Sequence, residues 1–433
     1  MRLRLSKEDP NTSGKDTLRT LQYIQSKCTP NSNSLHHKQL CCEMRRGLAL
    51  FLGTVVSQRT SHSLSLNNIS RRSFTAFTST GIMSAPSLKK AKTDTSSTKP
   101  LVVAVVGYTG GVGTCLLTAM NKIGLEPYAL VRSKTMKIDG GAEVPVDFDS
   151  LGQSLLEAAE KQNGTPVIAD VTASSHVQDQ YSGWVSKGIS VATANKGIFA
   201  GDEAKYNELL ASVASPAKLL HETTVGAGLP VLGTLTALKN SSHEIQKVEG
   251  VLSGTLAYVL GAVAGGKMKL SEAVKNAKEL GYTEPDPRMD LNGMDVARKA
   301  VILARLSGLT GIELSKMEIE SLVPKALEDC SVDEFMNGLS AYDDDFAKRV
   351  ADVEKTAGSK LHYAANVDVE NKIVTVGPMA CEASHPFNSA GPDNLIAITT
   401  NFYTRPLVVQ GAGAGGDVTA TGVLADILLC KQN

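Results

Sequence analysis

The sequence feature that most restricts the fold of this chain is a buried strand that runs into a glycine turn and then a helix. Val102 to Val106 is a continuous apolar run, as expected of a strand buried in a parallel sheet, and Thr114 to Ile123 follows as a predicted helix. Glycines between them let the backbone approach a pyrophosphate, whose charge a helix N-terminus favours. We therefore expect an α/β fold with a Rossmann-type dinucleotide-binding domain. The residues predicted to contact the cofactor in this turn are Gly107, Gly110, Gly111, Val112 and Gly113.

The end of the next predicted strand bears on the choice between NADP(H) and NAD(H). A site that prefers NAD usually has Asp or Glu at this point, where the adenosine ribose lies. The predicted strand Tyr128 to Val131 is followed instead by Arg132, Ser133 and Lys134. Cationic and hydroxyl groups suit a 2′-phosphate, so we expect NADP(H) as the preferred cofactor and NAD(H) as the second candidate. The alternative is that Arg132 and Lys134 are ordinary surface charges.

Two further predicted strands end in residues suited to a ligand site. Val167 to Val171 leads into a loop that begins with Thr172, and Ile189 to Thr193 leads to Lys196. Ligands of open α/β sheets bind outside the carboxyl ends of the strands. We therefore predict that Thr172 and Lys196 contact the cofactor, and that Lys196 also meets the reacting carbonyl. A strand-end lysine that points to solvent is the alternative for Lys196.

A group of charged residues lies between Gly281 and Lys299, after a predicted helix from Ser271 to Leu280 that has Ser271 as its N-cap. Two prolines then end helical structure, and Asp295 to Leu306 predicts a second, largely apolar helix. Asp295 and Lys299 are four residues apart, so they share one face of this helix. Clustered charge beside a buried helix indicates a functional site. A solvated surface pair is the alternative.

The stretch from Gly281 to Lys299 closely resembles the substrate-binding signature of homoserine dehydrogenase, in the monofunctional form found in fungi. The resemblance runs from about Leu101 to about Leu429, although the spacing of the first glycine turn is one residue longer than is usual in the family. It implies the interconversion of L-homoserine and L-aspartate 4-semialdehyde with NADP(H), on the route to threonine, isoleucine and methionine.

The resemblance also implies roles for individual residues. Lys299 would relay the proton to the substrate hydroxyl, Asp295 would orient it, and Lys196 would polarise the carbonyl oxygen. Glu284 would bind the substrate ammonium group, with Asp290 nearby. In similar enzymes the segment from Leu219 to Leu232 holds a sodium ion, mainly through backbone oxygens. The matching positions are Glu222, Val225, Ala227 and Leu229. From the residues alone, a glycine-rich hinge between domains is the alternative for this segment.

The second half of the chain predicts an α+β arrangement with a mixed sheet. Predicted strands include Ile245 to Val251, Ile373 to Val376, Leu395 to Thr400 and Leu407 to Val409. The family dimerises through such a sheet, so the resemblance implies a homodimer. Near the end, a second glycine turn precedes an apolar helix, and Gly415 is predicted to contact the cofactor. The predicted domains are a dinucleotide-binding domain over 100–229, completed by 411–433, and a substrate-binding and dimerisation domain over 230–410.

Residues 1–99 differ in composition from the rest of the chain. They hold 16 Lys and Arg against 5 Asp and Glu, whereas the remainder holds 28 and 39. We expect this extension to be disordered or to serve as a targeting presequence. A chain translated from Met44 or earlier would then reach a plastid or mitochondrion. The alternative is that translation begins at Met83, which would leave the protein in the cytoplasm.

Composition also excludes several classes of function. The acidic main part argues against a nucleic-acid partner, and no apolar run approaches the length of a membrane span. Seven scattered cysteines show no zinc or disulfide spacing. One rival is a semialdehyde dehydrogenase, which needs a nucleophilic cysteine with a histidine partner, and no cysteine here has such a setting. The other is a non-catalytic NADP-binding protein, which predicts a broken substrate loop, yet Glu284, Asp295 and Lys299 are all present.

Overall fold

The computed structural model describes residues 99–431, so the predictions for residues 1–98 lie outside the described part. Two sheets organise this part of the chain, one of seven strands and one of six. The predicted α/β fold with a mixed second sheet is confirmed. Among the described residues, no helix combines the length and apolar character needed to cross a bilayer.

The seven-stranded sheet is built from the first half of the described chain. Its strands are β1 (Leu101–Val106), β2 (Ala129–Val131), β3 (Thr135–Ile138), β4 (Val144–Pro145), β5 (Thr165–Asp170), β6 (Ser190–Thr193) and β7 (Leu219–Leu220). Its helices are α1 (Gly111–Lys122), α2 (Phe148–Gln162), α3 (Ser175–Gln178), α4 (Tyr181–Ser186), α5 (Gly197–Ala200) and α6 (Glu203–Ser212). The strand order is β4-β3-β2-β1-β5-β6-β7, with β3 and β4 as an antiparallel edge on a parallel sheet.

Residue type explains why β1 and β5 lie at the centre of this sheet. Every residue of both strands is buried, because helices cover both faces. The chain leaves β1 toward β2 on one side, and β5 lies on the other. In such sheets, ligands bind at this point, outside the carboxyl ends of the strands.

The six-stranded sheet and its helices come from the second half. Its helices are α7 (Leu232–Asn240), α8 (Gly254–Val263), α9 (Leu270–Glu279), α10 (Arg288–Leu291), α11 (Met294–Leu306), α12 (Val332–Gly338) and α13 (Asp343–Glu354). Its strands are β8 (Ile245–Val251), β9 (Glu318–Ile319), β10 (Lys360–Asp368), β11 (Ile373–Cys381), β12 (Asn394–Thr400) and β13 (Leu407–Gly411). The order is β13-β12-β8-β10-β11-β9, antiparallel except for the β9–β11 pair.

The last helix, α14 (Gly416–Leu429), packs against the seven-stranded sheet. Its buried Val423 and Ile427 belong to the same apolar cluster as Val103 and Val105 of β1. The chain therefore returns to its first sheet after it has built the second.

One predicted helix start is wrong. Helix α9 begins at Leu270 with Lys269 in the N-cap position, so Ser271 lies inside the first turn. The backbone N–H and the hydroxyl of Ser271 both donate to the carboxylate of Asp343, at 2.8 and 2.7 Å. A carboxylate from α13 therefore satisfies this helix end instead of a local serine.

Candidate active site

The glycine turn after β1 brings three backbone segments unusually close together. Gly107 has a φ of +91°, and a Cβ atom there would lie 2.6 Å from the Thr172 side chain. A Cβ on Gly113 would lie 2.2 Å from the carbonyl oxygen of Gly107. Only glycine fits at these two positions, which allows α1 to begin directly against β1. The first amides of α1, from Gly111 to Gly113, have no acceptor within the helix and suit an anionic group.

A cleft of about 690 Å³ lies beside this turn. Five residues predicted from the sequence line it, namely Gly107, Gly110, Arg132, Lys134 and Thr172. The cleft therefore joins the ends of β1 and β2 with the loop that follows β5. His176 of α3 also lines it, and its ring lies 5.4 Å from that of Phe148. Sequence reasoning did not find His176, because nothing local marks a short helix that faces the cleft.

The start of α14 lies beside the start of α1. A Cβ on Gly416 would lie 3.1 Å from the sulfur of Cys115 and 3.5 Å from the carbonyl oxygen of Gly111. Gly415, the residue before α14, has a φ of +124°. The second predicted glycine turn therefore adjoins the first, and two helix N-termini lie at the same end of the sheet.

Arg132 is held by a partner that the sequence did not reveal. Its guanidinium pairs with Glu143 and donates from Nε to the hydroxyl of Thr135 at 2.8 Å. Glu143 lies just before β4, in the hairpin that sequence analysis missed. A hydrogen bond from Thr135 and the charge of Arg132 lower the pKa of Glu143 below its ordinary value, against a smaller effect of burial. Arg132 therefore has a fixed orientation beside the cleft.

A buried polar network stands behind the loops that follow β5 and β6. Asp170 accepts hydrogen bonds from the Tyr181 hydroxyl at 2.5 Å, the Thr172 amide at 2.8 Å and the Asn195 side chain at 3.3 Å. The side chain of Asn195 in turn accepts from the amide of Gly197 at 3.1 Å. The network thus fixes Thr172 on one side and the backbone around Lys196 on the other.

Lys196, Asp295 and Lys299 form a cluster although they come from distant parts of the chain. The Lys299 ammonium lies 2.8 Å from one Asp295 oxygen, and the Lys196 ammonium lies 3.6 Å from the other. Lys299 is 7 % exposed and also donates to the carbonyl oxygen of Leu252 at 2.6 Å. Leu252 directly follows β8, and its backbone oxygen was not predictable from residue type.

The charges of this cluster set its protonation. Burial alone would raise the pKa of Asp295, but the charges of Lys299 and Lys196 outweigh it and lower the pKa to about 2. The carboxylate of Asp295 is therefore ionised, and its side chain is 48 % exposed. Burial lowers the pKa of Lys196; the carboxylate of Asp295 opposes this shift and the charge of Lys299 adds to it.

Glu284 and Asp290 are also brought together. The amide of Glu284 donates to one Asp290 oxygen at 2.8 Å, and the Thr255 hydroxyl donates to the other at 3.2 Å. The Glu284 side chain is exposed, whereas Asp290 is half-buried. Asp290 thus holds the loop backbone and leaves the Glu284 carboxylate free to meet a ligand. It lies on α10, and Asp295 lies near the start of the following helix, α11.

A neighbouring acid in the same loop has a structural role. Asp286 pairs with the guanidinium of Arg288, which also donates to the carbonyl oxygens of Leu327, Glu328 and Cys330. The hydrogen bond from Arg288 lowers the pKa of Asp286. This pair therefore fastens the loop to the segment before α12.

The predicted cation segment has a distinctive backbone. Both oxygens of Glu222 accept backbone N–H groups at the start of α7, from Leu232 at 2.6 Å and Gly233 at 2.7 Å. Gly226 and Ala227 have positive φ values of 80° and 53°. The chain thus reverses sharply between the positions that the sequence analysis assigns to sodium.

Three of the described cysteines, Cys115, Cys381 and Cys430, have raised thiol pKa values. Burial raises the pKa of Cys381 to about 12 and that of Cys430 to about 11. A hydrogen bond to Asp417 raises the pKa of Cys115. These three thiols stay protonated, which argues against catalysis by a cysteine nucleophile.

A parallel sheet with a glycine turn at its switch point, and a Lys–Asp–Lys cluster that includes Lys196 after β6 of the same sheet, together define a nicotinamide-dependent oxidoreductase. Comparison with known proteins narrows this class. The family model for the NAD-binding domain of homoserine dehydrogenase matches residues 107–221, and the homoserine dehydrogenase model matches residues 230–428. The chain belongs to the homoserine dehydrogenase family.

The chain is also similar to individual relatives and solved structures. The homoserine dehydrogenase of Saccharomyces cerevisiae is 43 % identical over 278 residues, which cover 63 % of this chain and 77 % of the yeast protein. A Candida auris protein of unknown function has a similar crystal structure, with a TM-score of 0.71 and 37 % identity over 77 % of this chain and 98 % of the other. A hyperthermophilic archaeal homoserine dehydrogenase in complex with NADPH has a TM-score of 0.51 and 25 % identity, covering 76 % and 97 % of the two chains.

The predicted function is thereby confirmed at the level of the reaction. The protein is an oxidoreductase that acts on a CH–OH group and interconverts L-homoserine and L-aspartate 4-semialdehyde with a nicotinamide cofactor.

Proposed function

We propose that Lys196, Asp295 and Lys299 carry out the proton transfer of this reaction. The observation that carries the proposal is the ionised Asp295 carboxylate between two ammonium groups, at 2.8 and 3.6 Å. One ammonium follows β6 of the dinucleotide sheet and the other lies on α11, which belongs to the second sheet. Proton transfer and hydride transfer can therefore occur at one place.

The residues of the cluster have distinct tasks. A bound nicotinamide supplies or accepts the hydride. In the reductive direction, Lys299 donates a proton from Nζ to the substrate oxygen as negative charge develops there, and in the oxidative direction it accepts the hydroxyl proton. Lys196 stabilises the same oxygen with its positive charge. Asp295 holds the Lys299 and Lys196 side chains at 2.8 and 3.6 Å, beside the place where negative charge develops on the substrate oxygen.

Substrate selection is assigned to the loop before α10. The exposed Glu284 carboxylate is suited to bind the substrate ammonium group, while Asp290 keeps the loop in place through the Glu284 amide. Glu284→Gln is then expected to raise the KM for homoserine by about tenfold or more, since a charge-assisted hydrogen bond contributes about 1.5–3 kcal/mol. An unchanged KM would remove Glu284 from the substrate site.

The proposed role of Lys299 predicts a loss of turnover without a loss of folding. Lys299→Ala should lower kcat by about 10²–10⁴-fold while NADPH binding, measured by nucleotide fluorescence, stays near the wild-type value. Lys299→Met preserves the packing of the side-chain stem, and its kcat should fall by the same factor. The matched control is Lys355→Ala, which removes an exposed pair, 2.6 Å long, between Lys355 just after α13 and Asp352 on that helix. Activity of Lys299→Ala within threefold of wild type would contradict the proposal.

NADP(H) is the proposed preferred cofactor, with NAD(H) as the weaker one. Arg132 and Lys134 line the cleft where a 2′-phosphate would lie, and Arg132 is oriented by Glu143. Arg132→Ala should lower the ratio of kcat/KM for NADP to that for NAD by about tenfold, the size of one charge-assisted contact. Lys122→Ala, at the far end of α1, is the control. A wild-type enzyme that prefers NAD would overturn this assignment.

A sodium ion is proposed for the segment between β7 and α7. Glu222, Val225, Ala227 and Leu229 would hold it through oxygen atoms, which hard cations prefer. The positive φ values of Gly226 and Ala227 support this, since they turn the backbone sharply between the donor positions. Each carbonyl or carboxylate oxygen keeps a second lone pair beside the hydrogen bonds described above. Thermal stability that does not differ between sodium and choline chloride at equal ionic strength would argue against the ion.

A homodimer is proposed through the six-stranded sheet. This sheet lies in the proposed substrate-binding and dimerisation domain, 230–410, whereas 100–229 and 411–433 form the proposed dinucleotide-binding domain. On β10, the side-chain oxygen of Asn366 is buried and has no hydrogen-bond partner within residues 99–431. Ile373 of β11 and Val408 of β13 are large apolar side chains exposed on the same sheet. Light scattering after gel filtration should give twice the chain mass of 45.7 kDa. A monomer at micromolar concentration would refute it.

A further inference from the structure

The distance between Lys196 and the α11 residues depends on how α5 is attached. Lys196 is the N-cap residue of α5, a helix of a single turn, and Asp295 and Lys299 lie on α11. The contact between Lys196 and Asp295 is only 3.6 Å long and joins the two sheets. A small shift of α5 against α11 would separate the two catalytic lysines.

Arg305, near the end of α11, fastens the other end of α5. Its Nη1 donates to the carbonyl oxygen of Phe199 at 2.8 Å, and its Nη2 donates to that of Gly201 at 2.6 Å. Nη2 also donates to the carbonyl oxygen of Ile312 at 3.2 Å. The guanidinium lies 5.0 Å from the centre of the Tyr206 ring, and the residue is 7 % exposed.

The two attachments act on the same short segment. Lys196 and Gly201 are separated by five residues, and Asp295 and Arg305 by ten, or on the order of 15 Å along a helix. α5 therefore rests on α11 at one end through Asp295 and at the other through Arg305. The loop before α5 is held independently by Asn195 and the buried Asp170.

A buried guanidinium is an unusual choice for a purely structural contact. Well-packed apolar residues often stabilise a fold as well as a buried charge does, because the charge must lose its water. The particular property of Arg is a rigid planar fork that orders several acceptors at once, which an ammonium on a flexible stem does less well. At this site the acceptors are the carbonyl oxygens of Phe199 and Gly201, at the C-terminal end of α5, and that of Ile312, which follows α11.

We propose that Arg305 is a positioning residue for the reaction, which fixes α5 on α11 and so sets the position of Lys196 relative to Asp295 and Lys299. The inference rests on the role proposed above for Lys196. It assigns to Arg305 no contact with substrate or cofactor. Its effect on catalysis passes through the placement of the Lys196 ammonium.

The test compares Arg305→Met and Arg305→Lys with Lys239→Met as a matched control. Lys239 also donates to a carbonyl oxygen at the end of α11, that of Leu306 at 2.7 Å, and this hydrogen bond does not involve α5. Arg305→Met should lower kcat by about 10–100-fold, as expected for a misplacement of about 1 Å, and leave the Kd for NADPH within twofold. The kcat of Arg305→Lys should lie between those of Arg305→Met and wild type. Lys239→Met should keep wild-type kcat.

The pH profile separates positioning from general destabilisation. A Lys196 released from its buried place should regain a more ordinary pKa, so the basic limb of the kcat profile should move to higher pH in Arg305→Met. A folded Arg305→Met with kcat within twofold of wild type overturns the proposal. So does a lower Tm with an unchanged pH profile, because that result marks a structural role only.

Two further variants keep the test decisive. If Arg305→Met does not fold, Tyr206→Leu removes the ring beneath the guanidinium and leaves its hydrogen bonds, and it should show the same shift of the pH profile at a smaller loss of kcat. An unchanged pH profile in Tyr206→Leu would overturn the proposal. Lys196→Met tests the role of Lys196 directly, so a normal kcat there refutes the proposed function rather than the positioning by Arg305.

Discussion

At the scale of single residues, Asp426 of α14 is a buried carboxyl group with an altered charge state. Burial raises its pKa to about 7; the hydrogen bond from the Glu222 amide opposes this, and the negative charge of Glu222 adds to it. The amide of Glu222 donates to Asp426 at 3.0 Å. Because Glu222 precedes α7 and Asp426 lies on the returning helix, this contact joins the two places where the chain passes between its sheets.

The raised pKa of Asp426 predicts how stability changes with pH. An unfolded Asp loses its proton near pH 4, whereas the folded group keeps it to about pH 7. The folded state thus binds more protons across this window, so the free energy of unfolding falls as pH rises from about 4 to about 7 and is level above. Asp426→Asn should remove that fall, by on the order of a few kcal/mol, and raise Tm at pH 8 relative to wild type.

Calorimetry between pH 4 and pH 8 checks this prediction. Asp149→Asn, a side chain that is 95 % exposed, is the control and should follow the wild-type curve. Parallel curves for wild type and Asp426→Asn would show that Asp426 is ionised in the folded protein.

Single residues also differ in how far the sequence can predict their surroundings. The Asp295–Lys299 pair follows from helical spacing, and the structure has it at 2.8 Å. Lys196 was linked to a ligand site through its place after a buried strand and through the family resemblance, not through any local charge pattern. Glu143 and the Leu252 carbonyl oxygen were missed, because one lies in an unpredicted hairpin and the other is a backbone atom without a residue signature. Long-range packing, not local pattern, brings them to the site.

At the scale of elements, the start of α11 depends on a glycine that no other residue can replace. Gly293 has a φ of +72°, and a Cβ there would lie 1.9 Å from the hydroxyl oxygen of Tyr363. That hydroxyl donates to the carbonyl oxygen of Glu320 at 2.8 Å. The buried tyrosine of β10 thus packs directly on the helix start that presents Asp295.

A matched pair of glycines turns this geometry into a prediction. Gly281, after α9, has the same φ of +72° but no atom within 4 Å of its ideal Cβ. Gly281→Ala should cost about 1–2 kcal/mol of unfolding free energy from backbone strain alone. Gly293→Ala adds a clash with backbone-anchored Tyr363, so it should cost at least about 1–3 kcal/mol more and lower kcat. Urea unfolding and steady-state kinetics measure both. Equal losses in the two variants would show that Tyr363 moves aside freely.

The same scale shows where element prediction failed. The strand β8 was predicted with its observed bounds, Ile245–Val251, and the turn residues Ser253 and Gly254 follow it. The nine-residue strand β10 was missed, although it pairs with both β8 and β11. Its sequence mixes Lys, His, Asn and Asp with apolar residues, and its pairing over long distances decides its conformation. The short β3–β4 hairpin was missed for the same reason.

At the scale of the whole molecule, the two sheets are joined at two crossings of the chain. The first passes through Glu222 to α7, and the second runs from β13 to α14. The Lys218 ammonium donates to the carbonyl oxygen of Leu429 at 2.6 Å, beside the Glu222–Asp426 contact. The sequence predicted both halves, but the packing between them rests on side chains more than 200 positions apart, for which one sequence carries no signal.

The remaining prediction concerns residues 1–98, which lie outside the described part of the chain. They are basic and rich in Ser, Thr and Asn, a composition that cannot bury a core. The first strand of the seven-stranded sheet begins only at Leu101. A chain that starts at Met83 should therefore match the full-length chain in Tm within about 1 °C and in specific activity, since no secondary element of the described fold is removed. A soluble but less active shortened chain would mean that the extension contributes to the enzyme.

The same region carries our proposal for location, which a pair of fluorescent fusions tests. The segment from Met44 begins with Arg45 and Arg46, continues with a short apolar run and has no acidic residue before Asp94, as in a transit-like presequence. A fusion of residues 44–99 should collect in a plastid or mitochondrion, because such segments are read by import receptors. A fusion of residues 83–99 lacks the arginines and the apolar run, so it should remain in the cytoplasm. Diffuse fluorescence from both fusions would remove the support for a presequence and favour translation from Met83.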